Sequence, residues 1–292
     1  MHGTVFSVIL FLFIYSSEAQ DSSLLTLLKE QDKPSTSNVS ATFKATHIAN
    51  LQTVESPAKG DLNFIIMHRF GKINDGSYNF FGLDNATLRL GLDYGITDRL
   101  AAGIGRSSLE KTFDGYLKYK LLRQTEDGKM PVSVSLLETV SNYTLKFTDK
   151  TYLNAKYRTT YVSQILIARK INRSVSLQLA PAMLHFNLVP TSKDNNDVFA
   201  ATVGGRVKFT KRMSITGEYT YLPSGQINSR DVKNSLSLGW DIETGGHVFQ
   251  LVFSNSQGMT ESQYITRTTG SWGKGDIYFG FNISRNFTLK KK

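Results

Sequence analysis

The chain has 292 residues, a mean hydropathy of −0.23, and 34 Lys and Arg against 24 Asp and Glu. Cysteine is absent, which excludes disulfides, cysteine-ligated metals and covalent attachment of c-type haem. The net charge of +10 comes from basic residues scattered along the chain, with only Lys290 to Lys292 as a run, so it gives no support for nucleic-acid binding.

Residues 1–19 are predicted to be a signal peptide. The apolar run from Val5 to Tyr15 is too short to span a bilayer, and Ser17-Glu18-Ala19 resembles a small-x-small cleavage site. The alternative is a buried N-terminal helix, because no Lys or Arg precedes the apolar run. No later window approaches about 18 consecutive apolar residues. We therefore expect an exported protein that can cross a membrane only with strands.

Residues 20–58 are predicted to form an N-terminal segment that is not part of the barrel. A thirteenth strand here would place the two chain termini on opposite sides of the membrane. We therefore expect this segment inside the lumen or at the periplasmic mouth. His47 and Glu55 lie in it, and His68 is a candidate contact because it interrupts an otherwise apolar strand face. His68 could instead mark a strand end at the membrane interface.

Residues 59–292 are predicted to be a β-barrel of about twelve strands, because apolar and polar residues alternate with a period of two. Leu88, Leu90 and Leu92 share one face, while Arg89 and Gly91 share the other. Segments near 131–141 and 157–169 alternate poorly. The connections include tight turns at 95–98, 170–173, 210–212 and 244–246, separated by longer polar segments. This rhythm is typical of an up-and-down barrel.

The apolar face could meet lipid, the inside of a lipocalin-like barrel, or a second sheet of a sandwich. About twelve strands exceed the roughly eight of soluble ligand barrels. Aromatic residues favour lipid, because they cluster towards both ends of the strands, as interfacial anchors do. The tight-turn group is Tyr94, Tyr119, Phe209, Trp240 and Phe287, and the opposite group is Phe113, Phe199, Tyr219, Tyr221 and Phe279. The predicted fold class is all-β, a transmembrane up-and-down antiparallel β-barrel.

Two stretches carry a family resemblance. They are ATFKATHIANLQTVESPAKGDLNFIIMHRFG, residues 41–71, and FFGLDNATLRLGLDYGITDRLAAGIGRSS, residues 80–108. The chain resembles the domain-of-unknown-function 5777 family, an uncharacterised group of outer-membrane barrels from Bacteroidota, over roughly residues 38–290. HRFG and GLDYGITDRL are the most specific matches. The resemblance implies a barrel in the outer membrane of a Gram-negative bacterium and no particular activity.

With the apolar face outward, the polar faces line a mildly cationic lumen. The candidate lumen-lining residues are Arg69, Arg89, Asp93, Lys118, Lys120, Arg206, Lys208, Glu218 and Asp241. These charges could steer anionic solutes, or they could pair across strands and fill a narrow barrel. The predicted function is a passive channel or a structural outer-membrane component, and the solute is not indicated.

The alternative function is an outer-membrane lipid-modifying enzyme or a ligand-binding barrel. No GxSxG or HExxH motif surrounds any histidine, and no spaced ligand cluster indicates a metal, so we predict no cofactor. The expected partners are outer-membrane lipid and the barrel-assembly machinery, which would recognise the alternating C-terminal strand ending near Phe287.

Overall fold

Twelve antiparallel strands form one closed barrel in the computed structural model, which describes residues 37–289. The predicted signal peptide and residues 20–36 of the predicted N-terminal segment lie outside the described residues. Each strand pairs with its neighbours in sequence, and β1 closes the barrel against β12. The strands are β1 Asp61–Lys72, β2 Ala86–Gly95, β3 Leu100–Ser107, β4 Thr112–Leu122, β5 Ser133–Tyr143, β6 Thr159–Lys170, β7 Val175–Phe186, β8 Asp197–Lys208, β9 Met213–Tyr221, β10 Ser235–Thr244, β11 His247–Ser254 and β12 Tyr278–Thr288.

The barrel has a short-turn rim and a long-loop rim. Asp61 at the start of β1 lies opposite Thr288 at the end of β12, so the described chain enters and leaves the barrel at the short-turn rim. Connections at 96–99, 123–132, 171–174, 209–212 and 245–246 lie there. The other rim carries connections at 73–85, 108–111, 144–158, 187–196, 222–234 and 255–277. The predicted up-and-down topology is confirmed.

The apolar faces of the strands point outward and the charged faces point inward. Leu88 and Leu238 are 37% and 45% exposed, whereas Arg89 and Lys118 are 3% and 0% exposed. Because neighbouring residues on a strand point to opposite faces, the period of two in the sequence fixes this arrangement. An outward apolar face needs lipid around it, so the orientation expected of a membrane barrel is confirmed.

The one α-helix in the described part of the chain, α1, is short and spans Glu261–Thr266. It belongs to the β11–β12 connection, and all six of its residues are buried. Between residues 37 and 289, no helix is both long and apolar enough to cross a membrane.

Candidate functional site: the occupied barrel lumen

Residues 42–54, called here the luminal hairpin, lie inside the barrel. A bridge between Asn38 and Thr125 and another between Lys59 and Gly95 hold both ends of this segment at the short-turn rim. The hairpin turns back where the Ile48 N–H donates to the Leu51 carbonyl at 2.9 Å. All of its residues are buried except Lys44, which is half-buried. The hairpin therefore enters and leaves the lumen through the same rim.

Glu218 of β9 binds the tip of the luminal hairpin. Its carboxylate accepts the backbone N–H groups of Ala49 at 3.1 Å, Asn50 at 2.9 Å and Leu51 at 2.9 Å. Successive N–H groups that converge in a turn form a natural anion-binding concavity. Here the anion comes from the barrel wall, and the three donors would otherwise be buried without partners.

The Arg69 guanidinium of β1 binds the carbonyl oxygens of the same hairpin tip. Its Nη2 donates to Asn50 Oδ1 at 3.0 Å and to the Ala49 carbonyl at 3.4 Å. Its Nη1 donates to Asn282 Oδ1 at 2.9 Å, and Asn282 Nδ2 in turn donates to the Ala49 carbonyl at 2.8 Å. An acidic side chain of β9 and a basic side chain of β1 thus satisfy the donors and acceptors of one turn.

Further wall side chains replace the backbone partners that a strand would have in a sheet. Lys118 Nζ donates to the carbonyls of Thr53 at 3.0 Å and Glu55 at 2.9 Å. Gln178 accepts the Val54 N–H at 3.0 Å and donates to the Gln52 carbonyl at 2.7 Å. Buried backbone groups must be paired, so these contacts make the hairpin fit this lumen specifically.

The luminal hairpin also has an apolar contact with the wall. The cluster of buried side chains contains Phe43, Ile48, Leu51 and Val54 from the hairpin, and Tyr116, Leu137, Leu166, Ala168 and Ala180 from β4 to β7. These wall residues face inward, where a water-filled channel would have polar side chains. A Cβ added to Gly204 would lie 2.5 Å from Ile48 Cδ1, so the lack of a side chain there makes room for the hairpin.

A second segment, residues 255–270, enters the lumen from the long-loop rim and is called here the inward loop. It contains α1, and its Tyr264 and Ile265 pack against inward-facing Val162, Leu184 and Val198. The Ser262 and Ser141 hydroxyl oxygens are 3.0 Å apart, which ties the loop to β5.

The luminal hairpin and the inward loop meet inside the barrel. Gln52 Nε2 of the hairpin donates to Glu261 Oε1 of the loop at 3.3 Å. The hairpin therefore fills the lumen from the short-turn rim, the inward loop fills it from the long-loop rim, and the two segments meet between the rims.

The structure places the predicted lumen-lining residues on inward faces, most of them buried. Arg69, Arg89, Asp93, Lys118, Arg206, Glu218 and Asp241 are buried, while Lys120 and Lys208 are half-buried near the short-turn rim. Arg89 forms a buried ion pair with Asp114, an inward-facing residue of β4. Asp93 accepts hydrogen bonds from Thr46 of the hairpin at 3.2 Å and Asn63 at 3.0 Å.

Arg206 and Asp241 are likewise connected to the N-terminal residues. Arg206 Nη2 donates to the Ala41 carbonyl at 3.0 Å. Asp241 accepts from Gln250 Nε2 at 3.0 Å, and the same nitrogen donates to the Ile48 carbonyl at 2.7 Å. Most of these charges therefore hold protein in the lumen, and one forms an ion pair across strands.

Of the three predicted contact residues, His47 and Glu55 lie in or beside the luminal hairpin, and His68 does not. His47 is buried in the hairpin, and its Nδ1 lies 3.2 Å from Thr46 Oγ1. Burial lowers the pKa of His47 well below the usual range, and the nearby positive charges of Arg89 and Lys118 lower it further. Glu55, which directly follows the hairpin, accepts the Phe43 N–H at 3.3 Å and so joins the two ends of the hairpin.

The structure corrects the expected contact between His68 and the N-terminal segment, because His68 does not face the lumen. His68 follows inward-facing Met67 and precedes inward-facing Arg69, so its ring lies on the outer face of β1. There it stacks on Phe281 at a centroid distance of 4.9 Å and meets the edge of Phe70 at 4.4 Å. The aromatic neighbours, rather than Glu55, surround this imidazole.

Sequence reasoning missed Glu138, which faces outward in the middle of β5. Its Oε2 accepts a hydrogen bond of 2.6 Å from the Ser163 hydroxyl on β6. Both residues lie in segments where the alternation was poor. The outward polar pair and the inward apolar residues of the same strands, such as Leu137, explain that irregularity. Within residues 37–289, no group of three or more His, Asp or Glu side chains could hold a metal ion.

The chain is similar to several solved outer-membrane proteins at low identity. A NanC porin is 8% identical with a TM-score of 0.49, and 77% of this chain covers 98% of that one. A KdgM porin is 10% identical with a TM-score of 0.47, covering 77% of this chain and 99% of that chain. An outer membrane channel, COG4313 from Pseudomonas putida F1, is 12% identical with a TM-score of 0.46, covering 80% and 97%.

No curated protein matches the chain. A family model does match, over residues 43–287, and it is described as a membrane bound beta barrel domain, DUF5777. The match begins inside the luminal hairpin and ends in β12, so it includes the hairpin tip together with nearly the whole barrel wall. The resemblance found in the sequence is confirmed, and this protein belongs to the DUF5777 family of membrane-bound β-barrels.

Proposed function

We propose that this protein is a barrel of the Gram-negative outer membrane that is closed at rest and conducts only when the luminal hairpin and the inward loop move aside. A signal peptide at residues 1–19 would deliver it to the periplasm, and the barrel-assembly machinery would recognise β12, near Phe287. The short-turn rim would then face the periplasm and the long-loop rim the cell exterior.

The observation that carries the proposal is the chemistry of the wall around the luminal hairpin. Glu218, Arg69, Lys118, Gln178 and Gln250 contact the hairpin through polar groups that water could equally well satisfy. A wall that stays permanently dry is stabilised better by packed apolar side chains than by buried charges. The polar part of the wall tolerates both states, with the hairpin docked or with water in its place, whereas the apolar side chains of β4 to β7 that pack against the hairpin favour the docked, closed state.

A purely structural barrel with a permanent plug is the competing function. In a structural barrel the hairpin would be docked as well, but the barrel would never conduct. Electrical conductance therefore distinguishes the gated barrel from the structural one. The cysteine-free chain permits a lock, because Asn50 Nδ2 lies 3.2 Å from Ser237 Oγ. Cysteine is shorter than asparagine, so a small shift of the hairpin tip towards β10 would let Asn50→Cys and Ser237→Cys form a disulfide.

The experiment records single-channel conductance of refolded protein in planar bilayers. We expect the wild type to be nearly silent. Glu218→Ala should show discrete openings, because it loosens the hairpin and with it the Gln52–Glu261 contact that ties the inward loop to the hairpin. Adding the Asn50→Cys/Ser237→Cys pair to Glu218→Ala should silence these openings when oxidised and restore them when reduced.

The matched control is Ser237→Cys with Ser254→Cys in the same Glu218→Ala background. Ser237 and Ser254 are direct partners on β10 and β11, with oxygens 2.9 Å apart, so this disulfide joins two wall strands and leaves the hairpin free. Openings that persist in the oxidised control support the proposal. A silent Glu218→Ala variant at all voltages would instead favour the structural barrel, and a steadily conducting wild type would rule out a closed resting state.

A further inference from the structure

A cavity of about 440 Å³ opens at the long-loop rim, and is called here the vestibule. The 144–158, 187–196 and 222–234 connections surround it, and Thr266 and Arg267 at the end of the inward loop also line it. Its volume lies in the range of small-molecule sites. It is separate from the contacts that hold the luminal hairpin.

Aromatic rings form much of the vestibule wall. They are Tyr143, Phe147, Tyr152, Tyr157 and Phe186. Most of them come from the end of β5 and the connection that follows it. Clustered rings at an opening to solvent offer flat apolar surfaces, and the tyrosines add hydroxyl groups at their edges.

Arg158 fixes two of these rings from behind. Its guanidinium carbon lies 5.5 Å from the Tyr143 ring centroid and 5.9 Å from that of Phe147. Its Nε donates to the Leu153 carbonyl at 2.9 Å, which ties the same connection to its own base. The wall is therefore organised before any ligand arrives, which lowers the entropic cost of binding.

Both acidic groups of the vestibule are already engaged. Glu110 forms an ion pair with Arg267. Asp194 accepts the backbone N–H groups of Asn228 at 2.6 Å and Ser229 at 2.8 Å. Neither carboxylate is available to neutralise another cation.

Two cationic side chains of the vestibule keep their charge uncompensated. Lys150 Nζ lies 5.1 Å from the Phe147 ring centroid, and across residues 37–289 it has no carboxylate partner. Arg230, which lines the vestibule from the 222–234 connection, likewise has no hydrogen-bond partner for its guanidinium within the described chain. The vestibule thus presents two free positive charges beside aromatic surfaces.

We propose that the vestibule binds a small organic anion that carries a ring. The negative group would lie between Lys150 and Arg230, while the ring would lie against the aromatic wall. A neutral ring would forgo the charge contacts, and a cation would meet two like charges. The site goes beyond the closed barrel proposed above, because it requires only the long-loop rim and no movement of the luminal hairpin.

The test measures binding of four probes to the refolded full chain in detergent, by isothermal titration calorimetry at about 0.1 M salt. Benzoate and glucuronate represent an aromatic and a sugar-like anion, and benzyl alcohol and glucose are their neutral counterparts. We expect saturable binding of at least one anion and at least a ten-fold preference for it over its neutral counterpart. Which anion binds identifies the kind of ring.

Single substitutions then locate the site. Lys150→Gln and Arg230→Gln should each weaken binding of the preferred anion about ten-fold, as expected for loss of one charge-assisted contact. Lys146→Gln is the matched control, because Lys146 is an exposed lysine of the same connection that does not line the vestibule. It should change the affinity less than two-fold.

Three results would overturn the proposal. They are the absence of saturable binding by either anion, equal affinity for an anion and its neutral counterpart, and a loss with Lys146→Gln as large as that with Lys150→Gln. The outcome is independent of conductance, so a barrel that never opens could still bind the anion, and a gated barrel could fail to bind it.

Discussion

At the scale of single residues, Glu218 shows how a wall side chain can replace a missing sheet partner. The alternation of β9 places it inward, and that much follows from the sequence. Its three hydrogen bonds to Ala49, Asn50 and Leu51 do not, because they join positions about 170 residues apart whose contact depends on the path of the hairpin. Glu55, in contrast, contacts Phe43 within its own segment.

Replacing Glu218 should release the hairpin tip. Glu218→Ala leaves three buried N–H groups without an acceptor, and each unpaired group costs about 1–3 kcal/mol. We expect docking of the hairpin to weaken by about 3 kcal/mol, which corresponds to roughly a hundred-fold loss of amide hydrogen-exchange protection at Ala49, Asn50 and Leu51.

Two variants serve as controls for this measurement. Glu218→Gln keeps a carbonyl oxygen as an acceptor and should retain part of the protection. Glu126→Ala, in an exposed turn, should leave the protection of the tip unchanged. Unchanged protection in Glu218→Ala would show that the carboxylate does not hold the hairpin.

At the scale of strands and loops, the irregular segments of the sequence turn out to be informative. The stretches near 131–141 and 157–169 alternate poorly because Leu137, Val162 and Leu166 face inward. These residues pack against the luminal hairpin or the inward loop. Clean alternation predicts a strand between lipid and water, so its local failure was a signal that protein fills the lumen beside those strands.

Asp194 joins two connections at the long-loop rim. It lies in the 187–196 connection and accepts N–H groups from Asn228 and Ser229 of the 222–234 connection. Burial by itself would raise its pKa, but these hydrogen bonds and those from Thr191 outweigh it and lower the pKa to about 2. The ordinary value is 3.8, so the carboxylate form is the one that the folded loops favour.

This depressed pKa predicts an acid-sensitive junction. The stabilising contribution of Asp194 should be complete above pH 4 and be lost as the pH falls towards 2, because protonation removes the charge that holds the N–H groups. Hydrogen-exchange protection of the Asn228 and Ser229 amides, corrected for the intrinsic pH dependence of exchange, should decline over that window.

Asp194→Asn provides the comparison. The amide oxygen can still accept a hydrogen bond but carries no charge, so protection should be lower above pH 4 and nearly independent of pH below it. A wild-type protein whose two amides stay equally protected from pH 5 to pH 2 would contradict this account of the loop junction.

At the scale of the whole molecule, the sequence predicts the wall of the barrel far better than its contents. Strand alternation, aromatic clusters and the two kinds of connection are local or periodic features, and they indicate the topology, the strand number and the outward apolar face. These features do not distinguish an N-terminal segment in the lumen from one at the periplasmic mouth, because the hairpin has few local signals and is held by side chains spread from Arg69 to Asn282.

The molecule combines a membrane barrel with a lumen that is filled from both rims. The luminal hairpin occupies the short-turn side, the inward loop occupies the other, and Gln52 and Glu261 connect them. The polar lining that would conduct ions in an open barrel instead binds backbone groups of the hairpin. Closure is therefore a property of specific contacts, which chemical cross-linking can examine directly.

The most direct test of the occupied lumen is disulfide formation in native membranes between Asn50→Cys and Ser237→Cys, read by mass spectrometry of the digested protein. Asn50 lies at the hairpin tip, and its Nδ2 is 3.2 Å from the Ser237 hydroxyl on the wall. We predict nearly complete cross-linking on mild oxidation, with little labelling of the single Asn50→Cys variant by a 5-kDa polyethylene-glycol maleimide. Failure to form the disulfide, together with full labelling at position 50, would show that the hairpin lies outside the barrel and contradict the account.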